Sequence, residues 1–230
     1  MSSPLVHVRS ANKPSAGSNR RIADRVRRHQ VDFWLDRHKS LAGDIRAVGN
    51  RGLSVAENEA IYADASADLT KALDDTLSPL AGRSLIDLGC GVGLYAGTVI
   101  DAGMNYVGID ASSLALEQAR RRCPKGVFRQ ANVTFYRSRE RFDAALLATV
   151  LCHLVDDRLF DAALDTTRNL LKPGGIVFIF DHFPEVEATY RDYVCNRAFA
   201  DFANRLRAVG LEIERRPAQR EFYLARVADT

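Results

Sequence analysis

The sequence that decides the fold is Leu85-Ile86-Asp87-Leu88-Gly89-Cys90-Gly91-Val92-Gly93. An apolar strand runs into a loop that has glycine at every second position, and the apolar-rich segment after it, Leu94 to Ala102, predicts a helix. Glycine has no Cβ, so the backbone of such a loop can approach a ligand closely. A strand, a glycine loop and a helix in this order predict a nucleotide or nucleoside site at the carboxyl end of the first strand.

The spacing of the glycines separates two kinds of site. A dinucleotide fingerprint reads G-x-G-x-x-G and would place its third glycine at position 94, which is Leu94; the glycine comes one residue earlier, at Gly93. Asp87 stands two residues before the first glycine. This D-x-G-x-G-x-G form resembles motif I of the class I S-adenosylmethionine-dependent methyltransferases. The alternative is a glycine-rich turn that only packs a helix against a strand.

Composition and length favour one globular domain with a terminal extension. The chain has 230 residues, is 47% hydrophobic and carries a net charge of +3, which does not argue for a nucleic-acid partner. Its four cysteines are scattered without C-x-x-C spacing, so we expect reduced thiols in a cytoplasmic protein and no metal site. We expect no membrane association, because no apolar stretch is long enough to span a bilayer and the N-terminus lacks an apolar signal core.

The chain divides into three predicted parts. Residues 1–19 are rich in Ser, Pro, Asn and Gly, and we expect a disordered tail. Residues 20–82 predict an N-terminal helical cap, with helices over 20–38 and 68–80 and a capping box at Ser54–Glu57. Residues 83–230 predict the Rossmann-like core.

Within that core, apolar strands alternate with amphipathic helices. We expect strands at 84–88, 106–109, 127–130, 144–147, 176–180, 211–215 and 222–227, helices at 94–102, 113–122, 158–171 and 191–209, and a turn at 172–175. The pattern predicts an α/β fold with a doubly wound, mostly parallel seven-stranded sheet. The family resemblance implies that the last two strands form an antiparallel C-terminal hairpin at one edge.

The resemblance covers residues 85–227. Phe142-Asp143, the segment from Leu146 to Leu154 and the turn Lys172-Pro173-Gly174-Gly175 are similar to family segments in the same order. The implied cofactor is S-adenosyl-L-methionine, with S-adenosyl-L-homocysteine as product. The implied cofactor-binding residues are Asp87, Gly89, Cys90, Gly91, Gly93, Asp110, Ala111, Asn132, Val133 and Ala148.

Two of these positions have specific expected roles. Asp110 ends the second strand, where the family binds the ribose diol; alternatively it caps the next helix, a role that Ser112 or Ser113 can fill. Asn132 stands where the family commonly has Asp, and its carbonyl oxygen could accept a hydrogen bond from the adenine amino group. The alternative for Asn132 is an ordinary turn at the end of a strand.

The resemblance implies in-line methyl transfer, for which a hydroxyl nucleophile usually needs a general base. The catalytic candidates are His153 and His182, which follow the fourth and fifth strands, with Asp181 to orient either one. The alternatives are a packing role for His153 and a solvated loop position for His182. Aromatic faces near the sulfonium could come from Trp34, Tyr62 and Tyr95. Arg51 could pair with the cofactor carboxylate or lie solvated at the surface.

We expect the acceptor pocket between the cap and residues 183–197. Its expected lining is aromatic: Phe33, Trp34, Phe183, Tyr190 and Tyr193. Since no N/D-P-P-F/Y run or Pro-Cys pair follows the fourth strand, we favour a hydroxyl or amino group of a small molecule as acceptor.

Other functions remain open at this point. The basic face over residues 20–39 and the arginines at 120–122, 129, 137, 139 and 141 would suit an RNA or protein substrate. A cofactor-binding protein without catalysis is a third reading, and Leu94 disfavours a NAD-dependent enzyme. The sequence leaves the oligomeric state open.

Overall fold

The computed structural model describes residues 32–191, 193–215 and 222–228. The expected tail over 1–19 and the first part of the expected helix over 20–38 lie outside the described residues. The remaining part of that helix, which we name α1, covers residues 32–40.

Seven strands form one sheet in the order β3-β2-β1-β4-β5-β9-β8. They are β1 Ser84–Leu88, β2 Asn105–Asp110, β3 Val127–Gln130, β4 Phe142–Ala148, β5 Leu171–Phe180, β8 Leu211–Arg215 and β9 Phe222–Val227. The first five are parallel, and β9 runs antiparallel to both β5 and β8. The predicted doubly wound sheet with an antiparallel hairpin at its edge is confirmed.

Apolar side chains cover both faces of this sheet. On one face α5, Asp157–Leu170, and α6, Phe199–Ala208, bury residues such as Phe160 and Phe202 against the strands. On the other, α3, Ala96–Asp101, and α4, Ser113–Arg122, pack together with the second half of α2, Val55–Leu77. The sheet is therefore covered on both sides, as parallel strands require.

Helix α2 is a single helix where the sequence predicted two separate helical segments. Ser54 and Glu57 form the predicted capping box, and the helix continues without a break from Val55 to Leu77. The spacing of Leu69, Leu73 and Leu77 predicted their burial correctly. The helix ends three residues before the predicted end because Pro79 follows, and proline disfavours helical backbone at the residue before it.

Two other differences lie near strand ends. Helix α3 begins at Ala96, two residues later than predicted, because turns occupy the residues between the glycine loop and the helix. Strand β5 begins at Leu171, and the predicted turn Lys172–Gly175 is a bulge within it, since Phe142 pairs with Leu171 while Ala144 pairs with Ile176.

The predicted helix over 191–209 is wrong in its first part. A two-stranded hairpin takes its place, with β6 at Ala188–Arg191 and β7 at Val194–Asn196, and α6 begins only at Phe199. The guanidinium of Arg197 is buried, pairs with Asp157 at 2.9 Å and donates to the Leu154 carbonyl at 2.9 Å. These contacts fix the end of β7 before α6 begins, and periodicity within the segment could not predict them.

Within the described residues, no helix combines the length and the apolar character that a membrane span needs.

Candidate cofactor and acceptor site

A cleft opens at the carboxyl ends of β1, β2 and β4, and residues from α1 and α2 cover it. This is the place where open α/β sheets bind ligands. The cleft has two walls. Its floor consists of the glycine loop, the ends of the three strands and the loop after β3, and its cap wall consists of Trp34, His38, Val48 and Tyr62.

The glycine loop forms the floor next to β2. The N–H groups of Gly89 and Cys90 both donate to the Ile109 carbonyl, at 2.8 and 2.9 Å. Gly89 has a φ of +82°, and a Cβ on it would lie 2.6 Å from Val150 Cγ2. Only glycine fits this position, because Val150 occupies the space that a Cβ would need and the backbone has a positive φ.

Gly93 has a different reason for being glycine. A Cβ on it would lie 3.0 Å from Ala119 Cβ and 3.3 Å from Phe128 Cε1, so this residue packs against α4 and β3. It is not among the residues that line the cleft. Its predicted contact with the cofactor stays a prediction, and the structure gives it a packing role.

Asp110 lies at the end of β2 beside the glycine loop. Its carboxylate accepts hydrogen bonds from the Gly91 N–H at 2.9 Å and from the Ser112 N–H at 2.8 Å. The helix cap is Ser112, whose Oγ accepts from the Ala115 N–H, so Asp110 does not cap α4. Burial raises the pKa of Asp110, and each carboxylate oxygen keeps a lone pair for a ligand.

Asp87 is the second carboxylate of the floor and is buried. The Tyr106 hydroxyl donates to its Oδ2 at 2.7 Å, and burial raises the pKa of Asp87 to about 7. Burial also raises the pKa of the neighbouring Cys90 thiol. A buried carboxylate of this kind favours a cationic ligand, because a positive charge nearby recovers part of the lost hydration.

The loop after β3 contributes Ala131, Asn132, Val133 and Thr134 to the cleft. The carbonyl oxygen of Asn132 accepts from the Thr134 N–H at 2.9 Å and from the Thr134 hydroxyl at 2.7 Å. Both of its lone pairs are therefore in use. The expected hydrogen bond from an adenine amino group to that same oxygen stays a prediction.

The end of β4 supplies Ala148, Thr149 and Val150. Thr149 has a φ of +53°, which is unfavourable for a β-branched residue, and its N–H donates to the Phe180 carbonyl at 2.7 Å. Strained backbone of this kind is concentrated at ligand sites. The predicted lining role of Ala148 agrees with its place, and the strain at the next residue has no signature in the sequence.

Of the two candidate bases, His153 lines the cleft and His182 does not. Nδ1 of His153 lies 3.0 Å from the Tyr193 carbonyl. A carbonyl can only accept, so Nδ1 carries the proton and Nε2 keeps a lone pair in the neutral ring. Burial lowers the pKa of His153, and the charge of Arg37 lowers it further, so the ring is neutral at pH 7.

Asp181 is buried next to that segment but does not line the cleft. Its carboxylate accepts from the backbone N–H groups of Cys152 and His182, both at 3.1 Å. Burial raises the pKa of Asp181 to about 6. These contacts fix the backbone on both sides of the strand ends. The predicted role of Asp181 in orienting an imidazole stays a prediction.

Aromatic rings form much of the cap wall. Trp34 meets the His153 ring edge-on with centroids 4.8 Å apart, and Tyr62 and Tyr95 line the cleft as well. Phe33 stacks on Tyr193 at 4.2 Å. The expected aromatic lining is wrong for Phe183, which is buried and stacks on Phe202 at 3.6 Å. The side chain of Tyr190 lies outside the described residues.

Sequence reasoning missed several lining residues. They are His38, Val48, Leu94, Ser112, Ala131, Thr134, Thr149, Val150, Leu154 and Leu159. One of them carried a usable signal, since His38 follows Trp34 by four residues and shares its helix face. The others come from loops or helix starts whose approach depends on tertiary packing.

Three of the described arginines that would suit an RNA or protein substrate have local partners. Arg129 pairs with Glu140, Arg121 with Glu117 at 3.5 Å, and Arg137 donates to the Thr166 hydroxyl at 3.0 Å. Arg51 is exposed in its loop and is not among the lining residues. None of these four arginines is among the lining residues of the cleft.

The comparison with protein families gives a match over residues 85–175 to a model described as a methyltransferase domain. The ubiquinone biosynthesis O-methyltransferase of Nitrobacter winogradskyi is 35% identical over 106 residues, which cover 44% of this chain and 40% of that protein. The protein of the same name from a Bradyrhizobium species is 32% identical over 108 residues, covering 45% and 42%. The chain spans less than half the length of these curated relatives.

Solved structures share the fold across most of the chain. The Burkholderia thailandensis 1,6-didemethyltoxoflavin-N1-methyltransferase has a TM-score of 0.66 and 19% identity, with 96% of this chain and 94% of that one covered. The magnesium protoporphyrin IX methyltransferase of Synechocystis has a TM-score of 0.65 and 18% identity, with 90% and 97% covered. Residues 85–175 are thus similar to a methyltransferase domain, and the chain shares its fold with these solved structures.

Proposed function

We propose that this protein transfers a methyl group from S-adenosylmethionine to a hydroxyl group of a small molecule. The observation that carries the proposal is the position of His153. It lines the cleft beside the strand ends, with Nδ1 held by the Tyr193 carbonyl and Nε2 able to accept a proton. A hydroxyl is a weak nucleophile until a base removes its proton, whereas an uncharged amine can attack first and lose its proton afterwards.

The residues of the floor fit the cofactor. Gly89 presents main chain to the cleft, Asp110 keeps lone pairs for ribose hydroxyls, and Asp87 offers a buried carboxylate to a cationic group. When bound, S-adenosylmethionine supplies an electrophilic methyl group on a sulfonium. Two apolar residues that line the cleft, Leu154 and Leu159, are suited to contact with the purine ring of the cofactor.

The residues of this chain then have three tasks. The glycine loop and the two carboxylates hold the donor in one place, which removes part of the entropic barrier. Trp34 and Tyr62 cover the cleft and exclude water. Nε2 of His153 accepts the hydroxyl proton as the acceptor oxygen attacks. The Tyr193 carbonyl keeps the ring in the tautomer that this step requires.

The acceptor class follows from the cap wall. Trp34, Tyr62 and His153 line the cleft with aromatic rings, which suits a planar aromatic alcohol. The sequence relatives are named as O-methyltransferases of ubiquinone biosynthesis, which supports a hydroxyl acceptor at the level of class. An amino acceptor is the alternative, since one structural neighbour is named as an N1-methyltransferase.

The test is a turnover measurement with matched acceptors. We would follow release of S-adenosylhomocysteine with phenols and with anilines of the same ring pattern, using the wild type, His153→Gln and His182→Gln. We expect turnover of phenols, with a fall of about 10²–10⁴-fold in kcat for His153→Gln. Binding of S-adenosylhomocysteine to that variant should be nearly unchanged.

Four results would contradict the proposal. Turnover of anilines but not of phenols would show that the methylated atom is nitrogen. Full activity of His153→Gln would show that His153 is not the general base. Loss of activity only in His182→Gln would assign that role to His182. Binding of the cofactor without turnover of any acceptor would favour a non-catalytic function.

A further inference from the structure

The cap contributes a buried histidine to the cleft. His38 lies on α1, four residues after Trp34, and both side chains line the cleft. Its exposure is 3%, which is low for a histidine on a helix near the surface. The two rings lie 5.9 Å apart. The residue therefore belongs to the cap wall and is not part of the outer face of the helix.

The two ring nitrogens of His38 have different surroundings. Nδ1 lies 2.9 Å from the hydroxyl oxygen of Ser112. Nε2 is buried and has no hydrogen-bond partner among the described residues. Burial lowers the pKa of His38 to about 4, and the charge of Arg37 contributes, so the ring stays neutral in the physiological range. A buried polar nitrogen without a partner is unfavourable, and a ligand in the cleft would satisfy it.

The position of Ser112 indicates which part of a ligand would lie there. Ser112 follows Asp110 by two residues, and its N–H donates to the Asp110 carboxylate at 2.8 Å. The chain of hydrogen bonds therefore runs from His38 through Ser112 to Asp110, along one side of the cleft. Under the proposed function, Asp110 holds the ribose hydroxyls.

We propose that Nε2 of His38 forms a hydrogen bond with a ribose hydroxyl of the cofactor, so that the cap helix helps to bind the donor. The inference rests on the proposed function. Either tautomer is compatible, because a hydroxyl both donates and accepts. Adenine ring nitrogens only accept and would serve one tautomer alone. His38 is a binding residue, since its nitrogen touches the cofactor and takes no proton from the acceptor.

A pair of amide variants separates this role from a structural one. Asn places its polar atoms near the position of Nδ1, and Gln places them near that of Nε2. We therefore expect His38→Gln to keep most of the affinity for S-adenosylhomocysteine and His38→Asn to lose about fivefold. If Nδ1 and Ser112 alone mattered, the order of the two variants would be reversed. Lys39→Ala, at the exposed neighbouring position on the same helix, is the control and should bind as the wild type does.

The ligand can be varied as well. Calorimetric titration of wild type and His38→Asn with S-adenosylhomocysteine and with its 2′-deoxy and 3′-deoxy analogues measures the contact directly. The loss seen in His38→Asn should disappear for the analogue that lacks the contacted hydroxyl. Melting temperatures of the ligand-free variants show whether each is folded.

Each outcome bears on a different statement. Absence of S-adenosylhomocysteine binding to the wild type would overturn the proposed function and this inference together. Normal wild-type binding with equal affinities in all variants would overturn the inference alone. Equal losses for all three ligands would overturn it too, because the contact would not be with the sugar. A raised KM for the acceptor with unchanged cofactor affinity would place Nε2 against the acceptor.

Discussion

The floor and the cap wall of the cleft differ in the kind of group that builds them. The floor consists of main chain and of carboxylates at strand ends, with Gly89, Asp87 and Asp110 each fixed by contacts inside the sheet. The cap wall consists of side chains from α1, from α2 and from Val48 between them, which meet only through tertiary packing. The floor therefore depends on backbone geometry and buried charge, whereas the wall depends on ring contacts. Four variants test this contrast.

The largest expected effect is that of Gly89→Ala on the floor. The new Cβ would lie 2.6 Å from Val150 Cγ2 and the backbone has a φ of +82°, so the loop must move. We expect affinity for S-adenosylhomocysteine to fall by about 100-fold or more, with a loss of stability. Calorimetry and thermal melting measure the two effects.

Gly97→Ala is the matched control for this variant. Gly97 lies within α3, and a Cβ there meets nothing within 4 Å among the described residues. Because alanine is the better helix former, we expect normal binding and a slightly raised melting temperature. Normal binding by Gly89→Ala would break the claim that backbone geometry controls the floor.

The second largest effect is expected for Asp87→Asn, which removes a buried charge from the floor. A buried carboxylate whose pKa is raised to about 7 destabilises the folded protein as pH rises from about 4 to 7. The unfolded carboxyl binds fewer protons than the folded one across that window, so stability falls. Removing the charge should therefore raise the melting temperature of the ligand-free protein at pH 8 and change it little at pH 4.

The same variant should bind the cofactor product about tenfold or more weakly, because a charge-assisted hydrogen bond is lost. Opposite changes in stability and affinity are the signature to look for. If Asp87→Asn lowered the melting temperature at pH 8, the carboxylate would be a net stabilising group and the interpretation of its pKa would be wrong.

The third effect belongs to the wall. Trp34→Leu removes the ring that meets His153 at 4.8 Å and keeps an apolar side chain. We expect KM for the acceptor to rise roughly tenfold, with affinity for S-adenosylhomocysteine within about twofold of the wild type. A larger loss of cofactor affinity than of acceptor affinity would erase the distinction between wall and floor.

The smallest effect is that of Ser54→Ala at the start of α2. Ser54 and Glu57 form a reciprocal capping box there, so its loss should cost about 1 kcal/mol of stability. Glu59→Ala, exposed on the same helix, is the control and should cost less. Chemical denaturation measures both. A change in cofactor affinity with either variant would mean that the floor depends on the far end of α2.

The contrast between floor and cap wall also explains which parts of the site could be predicted from the sequence. Asp87, the glycines and Asp110 follow apolar strands directly, so local pattern placed them at one end of the sheet. Even there, the packing role of Gly93 depends on Ala119 and Phe128, which lie in later elements. The engagement of the Asn132 carbonyl by Thr134, two residues later, is a local contact that the hydrophobic pattern does not show. Residues 188–196 form a hairpin that Arg197 anchors on Asp157, a contact that a helical periodicity cannot show. Likewise, the ring of His38 is held by a hydrogen bond with Ser112, which lies 74 residues later in the sequence.

Helix α2 has a consequence for how such a protein can be altered. Its first half carries Tyr62 in the cap wall, and its second half buries Leu69 and Leu73 in the same apolar cluster as Leu85 of the sheet. One continuous helix thus joins the cap to the sheet, and the two share a hydrophobic core. They cannot be exchanged as independent modules. Grafting the cap of a relative onto this sheet, to change acceptor choice, would have to keep residues 68–77 and make the junction before them. A graft made at residue 82 would remove the second half of α2 from one face of the sheet. The apolar side chains exposed there would favour aggregation.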